Sequence, residues 1–308
     1  SEMCIRDRDT VKHPKESKEH KRSEKIDRIL NDNIFEGINI HYFGGEPLLN
    51  IPVLIYLDEN IKKITDKIGI VYKAFLTTNG SMLSKELLQK VKFSSIQLTF
   101  DGLEKTHDRL RVSDHFHFKE EIELIENIMN FSQAKVLLRT NICKENKDEI
   151  IALHKYIFEK FGNERIEINP NRTIKYHQDD SFEMLSVQEY AEVAYQIKLL
   201  WSEQKGKFEL PVPRSTPCKF PYGNAYAISP EGYCTFCSGS MDQEKKYFFD
   251  VDIENKKMFS VRKECKKCNI LPLCLGGCII QYNLRAGACT YEKYELKNIL
   301  ISYIKHIS

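Results

Sequence analysis

The sequence predicts an α/β protein in which a parallel sheet with crossover helices precedes a small cysteine-rich C-terminal domain. Three observations carry this. Short apolar runs alternate five times with helix-period stretches over the first two-thirds of the 308 residues, and repeated β–α units of this kind build parallel sheets with right-handed crossovers. A proline-rich joint, Pro211–Pro217, then interrupts the pattern. Beyond it, eight of the ten cysteines fall between Cys218 and Cys289, a density that points to a bound soft metal, since thiolates select iron–sulfur clusters or zinc.

The expected strands are Ile38–Phe43, Val71–Leu76, Ser95–Phe100, Lys135–Leu138 and Arg165–Ile168. Helical patterns lie between them. Ser84 caps a helix running to Val91, with Leu87, Leu88 and Val91 on one face. Lys119–Phe131 and Lys147–Phe161 read as helices too, as do Lys25–Asn31, Val187–Gln204 and Glu292–Ile307. Five strands suit either an incomplete barrel or a doubly wound sheet. The domains expected are residues 25–210, the sheet with its linking helix, and 211–308, the cysteine-rich part with the last helix.

Composition narrows the function. Net charge is +2 with no basic stripe interleaved with aromatics, which argues against nucleic acid. No apolar run reaches the roughly twenty residues of a membrane span. No hydrophobic signal segment is present, so the cysteines are expected as thiolates in the cytoplasm. The five histidines His13, His20, His115, His117 and His177 have no ligand spacing and read as surface. Lys15–Lys25 reads as a solvated face. Residues 1–24 are expected to be an artefactual and disordered start: Met3-Cys4-Ile5-Arg6-Asp7-Arg8 back-translates to a sequence resembling a transposon-end adapter.

In a parallel sheet the residues just past each strand share one edge, and that edge is where sites form. Here those positions read Gly44-Gly45-Glu46-Pro47, Thr77-Thr78-Asn79-Gly80, Thr99-Phe100-Asp101-Gly102, Arg139-Thr140-Asn141 and Asn169-Pro170-Asn171. The glycine pair admits a ligand to bare backbone, Glu46 offers a carboxylate to a cation, and His107-Asp108-Arg109-Leu110-Arg111 offers guanidinium groups to a carboxylate. A site with both signs suits a zwitterion such as an amino acid. Singly, Asn-Gly and Asp-Gly are ordinary turn dipeptides; five such ends on one edge shift the balance.

The cysteines follow a pattern. Cys218 precedes Gly232 by fourteen positions, Cys237 follows, then Cys265-x2-Cys268-x5-Cys274-x3-Cys278, and Cys289 closes the set. Together with the strand-end residues, this pattern resembles radical S-adenosylmethionine enzymes with a C-terminal SPASM domain, over about residues 25 to 295. The resemblance implies an incomplete (β/α) barrel lacking its first strand. It implies that Gly44, Gly45 and Glu46 hold the methionyl amino group of S-adenosylmethionine. Thr99 stands where a serine usually meets that cofactor, Arg111 where an arginine pairs with its carboxylate, and Asn79 and Asp101 line the same mouth. It implies two auxiliary [4Fe-4S] clusters, one on Cys218, Cys237 and Cys278, the other on Cys265, Cys268, Cys274 and Cys289. Cys234 is either a fourth ligand of the first or a buried bystander. Cys143 reads as a core thiol. Gly276-Gly277 lets the chain reverse and aim N–H groups at cluster sulfurs.

The implied activity is maturation of a peptide or protein through a 5′-deoxyadenosyl radical, with flavodoxin or ferredoxin as reductant. Two departures bear on it. The Cys-x3-Cys-x2-Cys run that binds the S-adenosylmethionine cluster is absent, so the chain as written is expected to be inactive, its function being that of an intact parent. Anaerobic sulfatase-maturing relatives carry an aspartate after the cysteine equivalent to Cys237; Ser238 stands there, which favours another peptide substrate. No residue is identifiable as a catalytic acid or base. The competing class is a non-catalytic zinc module on an α/β domain. Against it stand the Cys268-x5-Cys274-x3-Cys278 spacing and the strand-end residues, which zinc leaves without a purpose.

Overall fold

The computed structural model of the chain describes residues 36–162, 164–175, 182–214, 225, 227–229, 233–235, 246–247, 263–278 and 289–307. The expected start, the 25–31 helix, the Lys15–Lys25 face, His13, His20 and His177, and Cys218 and Cys237 lie outside them. Contacts divide the chain into two compact units, one running to Ile142 and resuming over Asp148–Asn171, the other comprising Cys143–Lys147 and Arg172–Ser308.

The first unit is built on five strands, β1 (Gly37–Tyr42), β2 (Val71–Thr77), β3 (Phe93–Thr99), β4 (Lys135–Ile142) and β5 (Ile166–Arg172). They lie in the order β1-β2-β3-β4-β5, and the pairs from β1 to β4 are parallel. This monotone order settles the choice that periodicity left open. A doubly wound sheet reverses its order at a switch point; a sheet that grows in one direction with right-handed crossovers keeps its helices on one face, as in a barrel.

The register sorts the side chains onto two faces, because alternate residues point to opposite sides. One face carries Ala74, Leu76, Ile96, Leu98, Val136, Leu138 and Ile142, all buried. The other carries Asn39, His41, Lys73, Thr77, Gln97, Thr99, Arg139 and Asn141, a mostly polar row interrupted by Phe75 and Leu137.

The helices of this unit are α1 (Ile51–Ile68), α2 (Lys85–Lys90), α3 (Glu104–Leu110), α4 (Phe118–Phe131) and α5 (Ile150–Phe161). Sequence reading leaves α1 and α3 unassigned. In α1, Pro52 sits in the first turn, where its missing N–H costs nothing, Asn50 caps the start, and Gly69 at φ 73° ends the helix. Ser84 does cap α2, accepting from Leu87 N at 3.2 Å. His117 is the half-exposed N-cap residue of α4, and its N–H donates to Glu120 at 3.0 Å. On α5 the imidazole of His154 is fully buried 3.1 Å from Thr140 Oγ1; burial pushes its pKa down to about 3, so it is neutral.

In the second unit α6 (Val187–Lys205) starts with a reciprocal capping box between Ser186 and Glu189. It packs against the last helix, α8 (Glu292–Ile307). Tyr195 and Ser302 share a 2.6 Å hydrogen bond, and Lys198 pairs with Glu295 at 2.6 Å. By contacts, therefore, the linking helix goes with the second unit, whereas the Pro211–Pro217 joint suggests a division after it. The unit also holds a small antiparallel sheet of β6 (Ala227–Ile228), β7 (Tyr233–Thr235) and β8 (Lys246–Tyr247). The short helix α7 spans Leu271–Cys274. Cys143 is buried, with its N–H on Asn146 Oδ1 at 2.9 Å. No described helix is long and apolar enough to cross a membrane.

Candidate functional site

Two groups of residues carry the chemistry, one in each unit. In the first, the ends of β1, β2, β3 and β4 are tied by side chains. Glu46 follows the turn after β1, where Gly44 at φ 151° takes a conformation that side chains disfavour. Its carboxylate accepts from Leu48 N at 3.0 Å, Thr78 Oγ1 at 2.7 Å and Asn79 N at 2.7 Å. Three of roughly four acceptor positions are thus taken, leaving about one for a cation. Asn79 is exposed, and its Oδ1 accepts from the backbone and hydroxyl of Ser81.

Asp101, buried at the end of β3, is the second hub. Oδ1 accepts from Asn141 N at 3.0 Å, and Oδ2 pairs with Arg111 Nη1 at 3.2 Å. The Asp101 N–H donates to His107 Nδ1 at 3.4 Å, and His107 Nε2 lies 3.2 Å from Glu121. Since Nδ1 accepts, the ring proton sits on Nε2 and points at Glu121. Both are buried, and burial raises the Glu121 pKa. The guanidinium that sequence reading offers to a ligand carboxylate thus already meets one inside the chain. Thr99 is fully buried on the polar face, and Gly44 and Gly45 are exposed.

The polar face adds Gln97 and His41, which sequence reading passed over, to the strand-end residues Thr77, Asn169 and Asn171. Gln97 Oε1 accepts from Asn169 Nδ2 at 3.0 Å, Asn171 Nδ2 donates to Asn169 O at 2.8 Å, and His41 Nε2 lies 2.8 Å from Thr77 Oγ1. The signal for Gln97 and His41 lay in the alternation of their own strands, Asn39 and His41 in β1 and Ser95, Gln97 and Thr99 in β3, each between apolar or small neighbours.

In the second unit Cys265, Cys268, Cys274 and Cys289 line one pocket of about 320 Å³, space open to solvent included, together with Gly276, Thr290 and Lys293. All four are thiols rather than disulfides, and half-buried. Cys265 lies in the middle of a 3₁₀ turn, Lys263–Lys267, and Cys268 N donates back to Cys265 O at 2.9 Å. Leu275, Gly276 and Gly277 are all left-handed, at φ 48°, 83° and 70°. That reversal brings Gly276 N to Cys274 Sγ at 3.4 Å. A side chain at Gly276 would stand 3.8 Å from Cys265 Sγ.

Cys278 is described and does not line this pocket. Cys234 lies in β7, its backbone paired with Ile228 and Lys246. Among the described residues no three His, Cys, Asp or Glu side chains converge on a single-ion position. That is compatible with the pocket, because surrounding a common space is looser than converging on one ion.

The residues fit a sulfur-rich group. Thr290 Oγ1 is buried with no hydrogen-bond partner among the described residues. Lys293 Nζ donates to Cys289 Sγ at 3.7 Å, and the charge of Cys289 raises the Lys293 pKa. Thiolates with polar donors around them are what an iron–sulfur cluster requires.

The fold and these two groups define an α/β partial-barrel protein with a separate thiol-lined pocket. No protein-family model and no curated protein matches the chain. Solved structures do. The chain superposes on anSMEcpe with bound AdoMet and the Kp18Cys peptide at a TM-score of 0.65 and 18% identity, covering 92% of this chain and 88% of that one. The complex of anSMEcpe with AdoMet and the Cp18Cys peptide gives 0.64 and 18%, covering 93% and 90%. Streptococcus suis SuiB bound to S-adenosylmethionine gives 0.55 and 17%, covering 85% and 66%. The fold implied by the sequence resemblance is therefore the fold of these chains.

Proposed function

We propose that this chain is the core of a radical S-adenosylmethionine enzyme that modifies a peptide or protein, with two auxiliary [4Fe-4S] clusters in its second unit. The observation that carries the reading is the pocket where Cys265, Cys268, Cys274 and Cys289 meet a buried Thr290 hydroxyl with no partner among the described residues. A peptide substrate is favoured because the similar anSMEcpe structures hold peptides. Ser238 in place of aspartate favours a substrate other than a sulfatase.

Each residue has a part. Gly44, Gly45 and Glu46 would take the amino group of S-adenosylmethionine, with Thr78 and Asn79 N holding the Glu46 carboxylate in place. Arg111, oriented by Asp101, would present its guanidinium to the cofactor carboxylate. Thr99, Asn79 and Asp101 would line the mouth. Cys265, Cys268, Cys274 and Cys289 would hold one cluster; Cys218, Cys237 and Cys278, with or without Cys234, would hold the other. When bound, a reduced cluster and S-adenosylmethionine supply a hydrogen-abstracting radical. The polar face of the sheet orients the substrate and limits its side reactions. The reducing partner would be flavodoxin or ferredoxin, and the compartment the cytoplasm.

The test supplies what the sequence lacks. A strand bearing Cys-x3-Cys-x2-Cys, fused ahead of β1, should let the reconstituted protein cleave S-adenosylmethionine to 5′-deoxyadenosine. Glu46→Ala should lower that rate by roughly 100-fold, on the scale of losing a positioning contact. A fused protein that carries its third cluster and cleaves nothing would contradict the proposal.

A further inference from the structure

We infer that Thr290 and Lys293 are potential-setting residues for the cluster on Cys265, Cys268, Cys274 and Cys289, making it easier to reduce than it would be without them. The inference rests on the proposed function, since it needs that cluster.

Three observations converge. Both residues line the thiol pocket. The Thr290 hydroxyl is buried there without a hydrogen-bond partner among the described residues, a costly arrangement that a sulfur acceptor would relieve. Lys293 directs its ammonium at Cys289 Sγ at 3.7 Å, from the first turn of a 16-residue helix whose N-terminal dipole also favours negative charge.

Reduction transfers one electron, from a reducing protein or from dithionite, and adds one negative charge to the thiolate-ligated group. An ammonium and a hydroxyl donor beside it stabilise the more negative state and so raise the reduction potential. The plainer reading makes Lys293 a solvated surface ammonium and has Thr290 bonded to water. It predicts no effect on potential.

An anaerobic redox titration of the full chain, loaded with iron and sulfide and followed by electron paramagnetic resonance, separates the two. Two couples are expected. Lys293 is solvent-exposed, so in Lys293→Gln the reduced-to-oxidised ratio of one couple at fixed poise should fall by roughly two- to threefold, the scale of an exposed charge. In Thr290→Val, which keeps the shape, it should fall roughly threefold, the worth of one hydrogen bond. Lys293→Arg should leave it near the native value, and the other couple should not move. Unchanged potentials at full iron content would overturn the inference while leaving the proposed function standing. Loss of about four irons from Lys293→Gln would mark the lysine as structural and also overturn it. A native chain that binds no iron would remove both readings.

Discussion

The strand ends of the first unit and the thiol pocket of the second are held together in different ways. Glu46 accepts three hydrogen bonds, and Asp101 gathers Asn141, Arg111 and, through its N–H, His107. Most polar groups of this edge complete one another, although Glu121 Oε1, on the carboxylate facing His107, is buried with no hydrogen-bond partner among the described residues. The pocket instead gathers four thiols around a common space and leaves Thr290 Oγ1 buried with no partner among the described residues. The hubs of the first region are tied by hydrogen bonds within the chain; the second brings unbridged thiols around a common space. The difference is one of donor chemistry: a carboxylate is readily satisfied by backbone and hydroxyl donors, whereas thiols gathered without a disulfide suit a soft metal.

The largest expected effect is at the pocket. Cys268→Ala should cut the iron held after reconstitution from about eight to about four per chain, because a cubane takes four ligands; iron assay and the visible spectrum check it. Next comes the sheet edge. Asp101→Ala strips Arg111 and the Asn141 N–H of that carboxylate and should cost about 2–3 kcal/mol, discounted for the part-exposed arginine. Urea unfolding measures it, and a cost under about 0.5 kcal/mol would show that the edge is not tied by this hub. Acid should weaken the first unit through His154, buried neutral with its pKa pushed down to about 3. A depressed histidine adds stability that is complete above the ordinary value near 6.5 and is lost as pH falls from there to about 3. The loss approaches about 1.4 kcal/mol per pH unit, and His154→Gln should flatten that slope in urea midpoints. The smallest effect is at Gly276, where alanine at φ 83° should cost about 1 kcal/mol while keeping iron binding within roughly twofold.

Much of the fold was legible in the sequence, for identifiable reasons. Ile38–Phe43, Val71–Leu76 and Ser95–Phe100 stand within a residue or two of β1, β2 and β3, because buried runs bounded by glycine and polar residues leave few other options. The helix Ile51–Ile68 escaped because Pro52 looks like a breaker until it is placed in the first turn. That His117 also caps α4 was not legible, because capping depends on where the helix begins. Strand order was out of reach, since periodicity is the same in a barrel and a doubly wound sheet. At the site, Glu46 and Asp101 were visible as strand-end residues. Their partners Thr78 and Asn141 became specific only once the sheet fixed which ends are neighbours. That Cys265, Cys268, Cys274 and Cys289 belong together was implied by the family resemblance, and these four line one pocket. The donors Thr290 and Lys293 were not legible, because a hydroxyl and an ammonium near a cysteine mean nothing without geometry.

The most direct test of the account is anaerobic reconstitution of this chain with iron and sulfide, followed by metal counting and the visible spectrum. About eight irons per chain with a broad band near 400 nm, falling to about four in Cys268→Ala, is the predicted result. A colourless protein holding two zinc ions would contradict it and make the second unit a zinc module.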